Sequence, residues 1–155
     1  MPLKSAGILA YRNINGSTEV FLVHPAGPYW DGKDLNAWSI PKGLFKEETP
    51  LEAAIREFNE ETGQEISGDF IELVPVKQSS GKIIYPFAVE ANPNAERVVS
   101  NTFRMEWPPG SGQIQEYPEV DKGGWFTFDV ASKKLVNGQV PILRQLAVLL
   151  EKEKI

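Results

Sequence analysis

The sequence contains no cysteine. That excludes disulfides and thiolate metal sites, and it fits a reducing compartment. Histidine occurs once, as His24, which leaves too few ligands for a histidine zinc site. No apolar run approaches the ~20 residues needed to span a bilayer. The opening MPLKS lacks the layout of a secretory signal, so a soluble, cytoplasmic protein without membrane contact is expected. Basic residues are outnumbered 16 to 21, giving a net charge of -5. This balance argues against a broad cationic surface, and no stable nucleic-acid partner is expected. Internal repeats and low-complexity tracts are also missing.

What is present suits one folded unit. At 155 residues and 41% apolar content, the chain can bury a proper core, and a single domain over 1–155 is expected. Ser5 to Tyr11 and Glu19 to His24 read as strands joined at Asn15-Gly16. Ala37 to Ile40 reads as a short strand delivering Pro41-Lys42-Gly43. Phe70 to Lys77 and Lys82 to Glu90 read as further strands, with Pro75 and Pro86 marking edges or bulges. Gly124 to Phe128 reads as a late strand. Asp129 is the expected N-cap of a short helix to Val136. A last helix starts at Pro141 and packs Ile142, Leu143, Leu146, Leu149 and Leu150 on a sheet. Strands on both sides of amphipathic helices imply an α/β sandwich.

The organising stretch is Pro41 to Gln64. Thr49 reads as an N-cap, Pro50 as the first helical residue and Gly63 as the stop. Leu51, Ile55, Phe58 and Thr62 recur at helical spacing as a buried stripe. Glu57, Glu60 and Glu61 share another face, within an arc of roughly 100°. Ala53, one turn earlier, is read as leaving room for a ligand. No basic residue follows these acids at offsetting spacing. Each like-charged pair costs about 0.2–0.5 kcal/mol. Such a face is either solvated or the seat of a hard divalent cation with oxygen ligands.

Gly43, Glu48, Arg56, Glu57, Phe58, Glu60, Glu61 and Gly63 together resemble the box of the Nudix (MutT-like) hydrolases. REFNEETG matches the pattern at every fixed position. Two departures stand out: four residues rather than five separate Gly43 from Glu48, and Gln64 replaces an apolar residue. The resemblance implies a mixed sheet between helices, an α/β/α sandwich. It implies Mg²⁺- or Mn²⁺-dependent hydrolysis of a nucleoside diphosphate linked to X. Glu57 and Glu61 are the implied main metal ligands, with Glu60 as a third and Gly43 lending its carbonyl. Glu119 stands six residues before Trp125, where the family places an extra ligand or base. Either Glu60 or Glu119 is the base, with Glu116 as the fallback. Arg56 is expected off the acid face, paired with Glu48 to brace the loop.

The substrate side is less defined. Tyr29 and Trp30, in a loop from Pro25 to Asn36, either stack on a base or pin the loop. Lys42 is a phosphate contact or a solvated lysine. Arg104 and Trp107 are expected to end a strand facing the site. His24 is either structural or a contact to phosphate or base. SAGILAYR, VHPAGPYW, WSIPKG and MEWPP resemble a bacterial Nudix group of NTP pyrophosphohydrolases. A nucleoside triphosphate is therefore the first expected substrate. Ap4A-like dinucleoside polyphosphates come next, then nucleotide sugars. A non-catalytic nucleotide sensor is the alternative of another class. Monomer and homodimer both fit.

Overall fold

The structure is a computed structural model that describes residues 2–153. Strand β1 (Lys4–Ile14) turns at Asn15-Gly16 into β2 (Ser17–Pro25). Both turn residues have positive φ, 51° and 82°, as a two-residue hairpin requires. Both strands run longer than the apolar pattern suggests, because their outer ends are exposed. The chain then enters β3 (Lys42–Leu44), helix α1 (Pro50–Thr62), the short strands β4 (Ile71–Glu72) and β5 (Val76–Lys77), and β6 (Ile83–Glu90). A hairpin of β7 (Thr102–Glu106) and β8 (Ile114–Pro118) precedes β9 (Val120–Thr127). Helices α2 (Phe128–Lys134) and α3 (Val140–Glu153) finish it.

The main sheet has the order β4-β6-β1-β2-β9, with β3 added to β1 and β5 to β6. Only β1 and β6 pair in parallel, so the sheet is mixed. Alternation along β1 divides the core. Ala6, Ile8 and Ala10 pack with Ala53, Ala54 and Phe58 of α1. Leu9 and Tyr11 pack with Ile142, Leu143 and Leu146 of α3. The α/β/α sandwich is therefore the fold.

Several local expectations need correction. The stretch from Phe70 to Lys77 is two short strands, not one. Leu73 instead donates its N–H to the Pro86 carbonyl at 3.0 Å, and Pro75 has no N–H to continue a ladder. Residues 37–40 form only isolated bridges, Val23 with Ser39 and Trp38 with Leu135. The late strand begins at Val120, four residues early, because β2 pairs with it that far. Thr127, not Asp129, occupies the N-cap of α2, and α2 ends at Lys134.

The sheet forks at β1, and the fork positions the site. The outer half of β1 pairs with β2, from Tyr11↔Val20 to Ile14↔Ser17. The inner half pairs with β3, from Ser5↔Leu44 to Gly7↔Lys42. Between them Ile8 N–H donates to the Pro41 carbonyl at 3.1 Å, and Val23 and Ser39 exchange bonds at 2.8 and 2.9 Å. The approach is close. A β-carbon on Gly7 would lie 2.8 Å from the Pro41 carbonyl oxygen, so glycine is needed there. Lys42 and Gly43 are thereby carried to the side of α1.

Candidate active site

The caps of α1 fix the phase of its acids. Thr49 Oγ1 accepts the Glu52 N–H at 3.2 Å. Gly63 closes the helix at φ 72°, its N–H donating to the Asn59 carbonyl at 2.7 Å. The buried face is Ala53, Ala54, Glu57, Phe58 and Thr62, with Leu51 and Ile55 only half-buried. Two corrections follow. Ala53 is fully buried against the sheet, so its small side chain serves close packing rather than ligand space. Glu57 lies on the buried side rather than opposite it, 8% exposed.

Gly43 explains how Glu57 fits there. A β-carbon at Gly43 would fall 2.0 Å from Glu57 Oε2. The carboxylate lies directly against the β3 backbone. The next backbone N–H, of Lys42, donates to Glu61 Oε1 at 3.1 Å. Strand β3 thus meets Glu57 and Glu61, one helical turn apart.

Arg56 is not confined to the loop. Its Nε donates to Glu48 Oε2 at 2.8 Å, as the sequence reading expects. Its Nη1 also donates to Glu57 Oε1 at 2.7 Å and Glu60 Oε2 at 3.1 Å. No basic residue follows the acids at offsetting spacing, but one precedes them: Arg56, four before Glu60, offsets their charge. Arg56 holds the Glu48 carboxyl below the usual carboxylate range.

The remaining acids are desolvated and close to one another. Burial pushes Glu61 up to about 8, opposed by the Lys42 N–H and reinforced by the charges of Glu119 and Glu57. Burial also raises Glu57, with the Glu60 charge adding to it against Arg56. Burial and the charge of Glu60 raise Glu119. Lys42 is lowered by burial and drawn back up by Glu61.

Glu119 arrives from another element. Its N–H donates to the Asn101 carbonyl at 2.9 Å, and the Asn101 N–H donates to the Glu60 carbonyl at 2.8 Å. The β7–β8 hairpin is therefore rooted on two of the acids. Beside them opens a cavity of about 220 Å³, lined by Glu61, Glu119, Lys42, Trp30, Ser39 and Gln139 among others. Gln139 was missing from the sequence reading. It is 1% exposed, accepts the Ile40 N–H at 2.9 Å and donates to Ser39 Oγ at 2.9 Å. A polar residue before a helix carries no sequence signal for such a place.

Not every expected residue joins this group. Tyr29 is exposed and meets Trp107 edge-on, ring centroids 5.1 Å apart. Arg104 is exposed on the hairpin and sits 3.5 Å from Glu116. The two are register partners across the β7–β8 hairpin. His24 is 2% exposed and internally bonded, so it is not a free ligand contact.

Among the described residues, no three acidic or histidine side chains already stand in metal-binding geometry. Arg56 occupies oxygens of Glu57 and Glu60 instead. The chemistry of the donor set nevertheless suits a hard divalent cation: oxygen only, desolvated and mutually repelling. Among the described residues, no helix is long and apolar enough to cross a membrane.

A family profile described as NUDIX domain matches residues 1–146. No curated protein matches the chain. Solved structures with the same fold include a binary complex of a C. elegans Ap4A hydrolase. It is 21% identical, with 97% of this chain and 98% of that one covered and a TM-score of 0.60. The NUDIX domain of Shewanella oneidensis NrtR, complexed with ADP ribose, is 16% identical over 97% and 89%, with a TM-score of 0.64. A MutT structure, from work on the Aliivibrio salmonicida and Vibrio cholerae proteins, is 16% identical over 92% and 93%, with a TM-score of 0.54. With the matched profile spanning nearly all of a chain whose acid face, fork and sandwich have just been described, the chain belongs to the Nudix family.

Proposed function

We propose that this chain hydrolyses a nucleoside diphosphate linked to X with Mg²⁺ or Mn²⁺, a nucleoside triphosphate being the first choice. One observation carries this reading: of four neighbouring carboxylates, three are pushed up by burial, and two of them, Glu61 and Glu119, line a cavity together with Lys42 and Trp30. Glu57 and Glu61 would hold the ion, with Glu60, Glu119 and the Gly43 carbonyl as further oxygen ligands. When bound, such an ion neutralises the diphosphate and lowers the pKa of a coordinated water.

The chain's own residues supply the rest. Glu119 takes the proton of the attacking water. Glu60 is the weaker candidate for that role because Arg56 Nη1 already donates to its carboxylate. Lys42 meets a phosphate oxygen as a point charge. Trp30 walls the cavity, and the Tyr29–Trp107 pair offers a second aromatic surface outside it. Arg104 lies further out on the same hairpin.

That second surface supports one other reading, a dinucleoside polyphosphate with a base at each station. The similarity to the Ap4A hydrolase fold is consistent with it. A nucleotide panel run in ¹⁸O water, with products read by mass spectrometry, decides between them by identifying X and the bond broken. Glu57→Gln and Glu60→Gln should each lower turnover about a hundredfold or more. Nucleotide binding without turnover on any substrate would replace the enzyme reading with a sensor.

A further inference from the structure

His24 is the chain's one histidine, and its ring is bonded on two sides. Nε2 donates to the Lys33 carbonyl at 2.6 Å. Nδ1 hydrogen-bonds Asp121 Oδ1 at 3.0 Å. The ring also stands edge-on to Trp38, 5.2 Å between centroids.

Each bond governs a different part of the site. Lys33 N–H donates to the Trp30 carbonyl at 3.0 Å, closing the turn that carries Trp30. Holding the Lys33 carbonyl therefore holds the aromatic wall of the cavity. Asp121 lies in a β-bulge. His24 pairs with Lys122 and Pro25 with Val120, so Asp121 is the extra residue on β9. Bulges next to active sites re-aim neighbouring side chains. The neighbour here is Glu119, two residues before Asp121, whose carbonyl accepts the Ala26 N–H at 3.0 Å. Without the bulge the alternation of β9 shifts by one, and Glu119 turns to the other face of the strand.

We propose that His24 is a positioning residue that sets Glu119 through Asp121 and the Trp30 wall through Lys33. It touches no reacting atom. The proposal rests on the hydrolase reading above and adds how its parts are held.

The two nitrogens can be separated. His24→Gln keeps a donor at the reach of Nε2 and loses the Asp121 bond. His24→Asn keeps a donor at the reach of Nδ1 and loses the Lys33 bond. Asp121 is 41% exposed at its side chain, so Asp121→Ala leaves the core alone. Steady-state kinetics on the best nucleotide from the panel, with saturating Mn²⁺, should show a split. His24→Gln and Asp121→Ala lower kcat about tenfold or more with KM held, in the range for a supporting hydrogen bond. His24→Asn raises KM with kcat held. A packing role alone would lower melting temperature without separating kcat from KM, and that result overturns the proposal. If the His24 variants fail to fold, Asp121→Ala decides: wild-type kcat overturns the proposal. Glu119→Gln is the control. If it is fully active, the role of Glu119 falls, and this proposal with it. If it is impaired while Asp121→Ala is silent, the positioning role alone falls.

Discussion

The carboxylate of Glu57 fills the space where a side chain on Gly43 would begin, its Oε2 2.0 Å from that β-carbon position. Gly43→Ala should therefore leave the fold intact, because a carboxylate is the flexible end of its side chain and can swing away. The displaced Glu57 carboxylate, proposed above to hold the ion, is the cost. Activity should fall about a hundredfold, the scale for a misplacement of about 1 Å. Melting temperature and kcat/KM on the same preparation check this, and a variant with full activity would contradict it.

Arg56 joins the loop to the acid face through Glu48, Glu57 and Glu60. Arg56→Lys keeps one charge but cannot serve three carboxylates. Loss of such outer support typically costs about 10- to 100-fold in activity or metal affinity. Manganese titration and turnover should both record it. Glu48→Gln, which spares the bonds to Glu57 and Glu60, should cost less than Arg56→Lys.

The metal-free protein should lose stability as pH rises from 5 to 8. Glu61 is pushed up to about 8 in the folded chain, well above the ordinary carboxylate value of 4.5. The folded state therefore binds more protons than the unfolded state across that window, and the slope of stability against pH is negative. Below about pH 4.5 both states are protonated, and the contribution is fully present. Glu61→Gln should flatten the decline, and saturating Mn²⁺ should remove it by binding the charged form. Scanning calorimetry with and without the ion tests both. A metal-free melting temperature that rises over this range would refute the assignment.

Tyr29 and Trp107 form a pair on the surface, outside the core clusters. Tyr29→Ala should raise KM by about tenfold with little change in stability, within the 1–3 kcal/mol that base stacking provides. For a dinucleoside substrate the effect should exceed that for a nucleoside triphosphate. Equal effects would favour the smaller substrate.

Much of the frame was legible in the sequence, and the reasons are local. The ends of α1 follow from Thr49 and Gly63, which act within one turn of their own positions. The Asn15-Gly16 turn and the α3 stripe are equally local. The acid face was legible as composition but not as geometry. Helical spacing places Glu57 relative to Glu61, yet it says nothing about which strand lies on top. Only the fork brings Gly43 onto Glu57. The reach of Arg56 is not legible because helical phase sets its α-carbon off the acid face, while its long side chain reaches back to Glu57 and Glu60. Gln139, Asp121 and the bulge at His24 depend on contacts between residues about 100 apart, as between Gln139 and Ile40. No local pattern records those.

The forked ladder has one more consequence. Its joints are made by main-chain groups: Ser39 on Val23, and the Pro41 carbonyl on the Ile8 amide. The Trp30 side chain, which makes none of these joints, walls the hollow beside them. Exchange of Trp30 is expected to retune which molecule is admitted while the acid face of α1 stays where it is. Choice of cargo and cleavage chemistry are separable in this architecture.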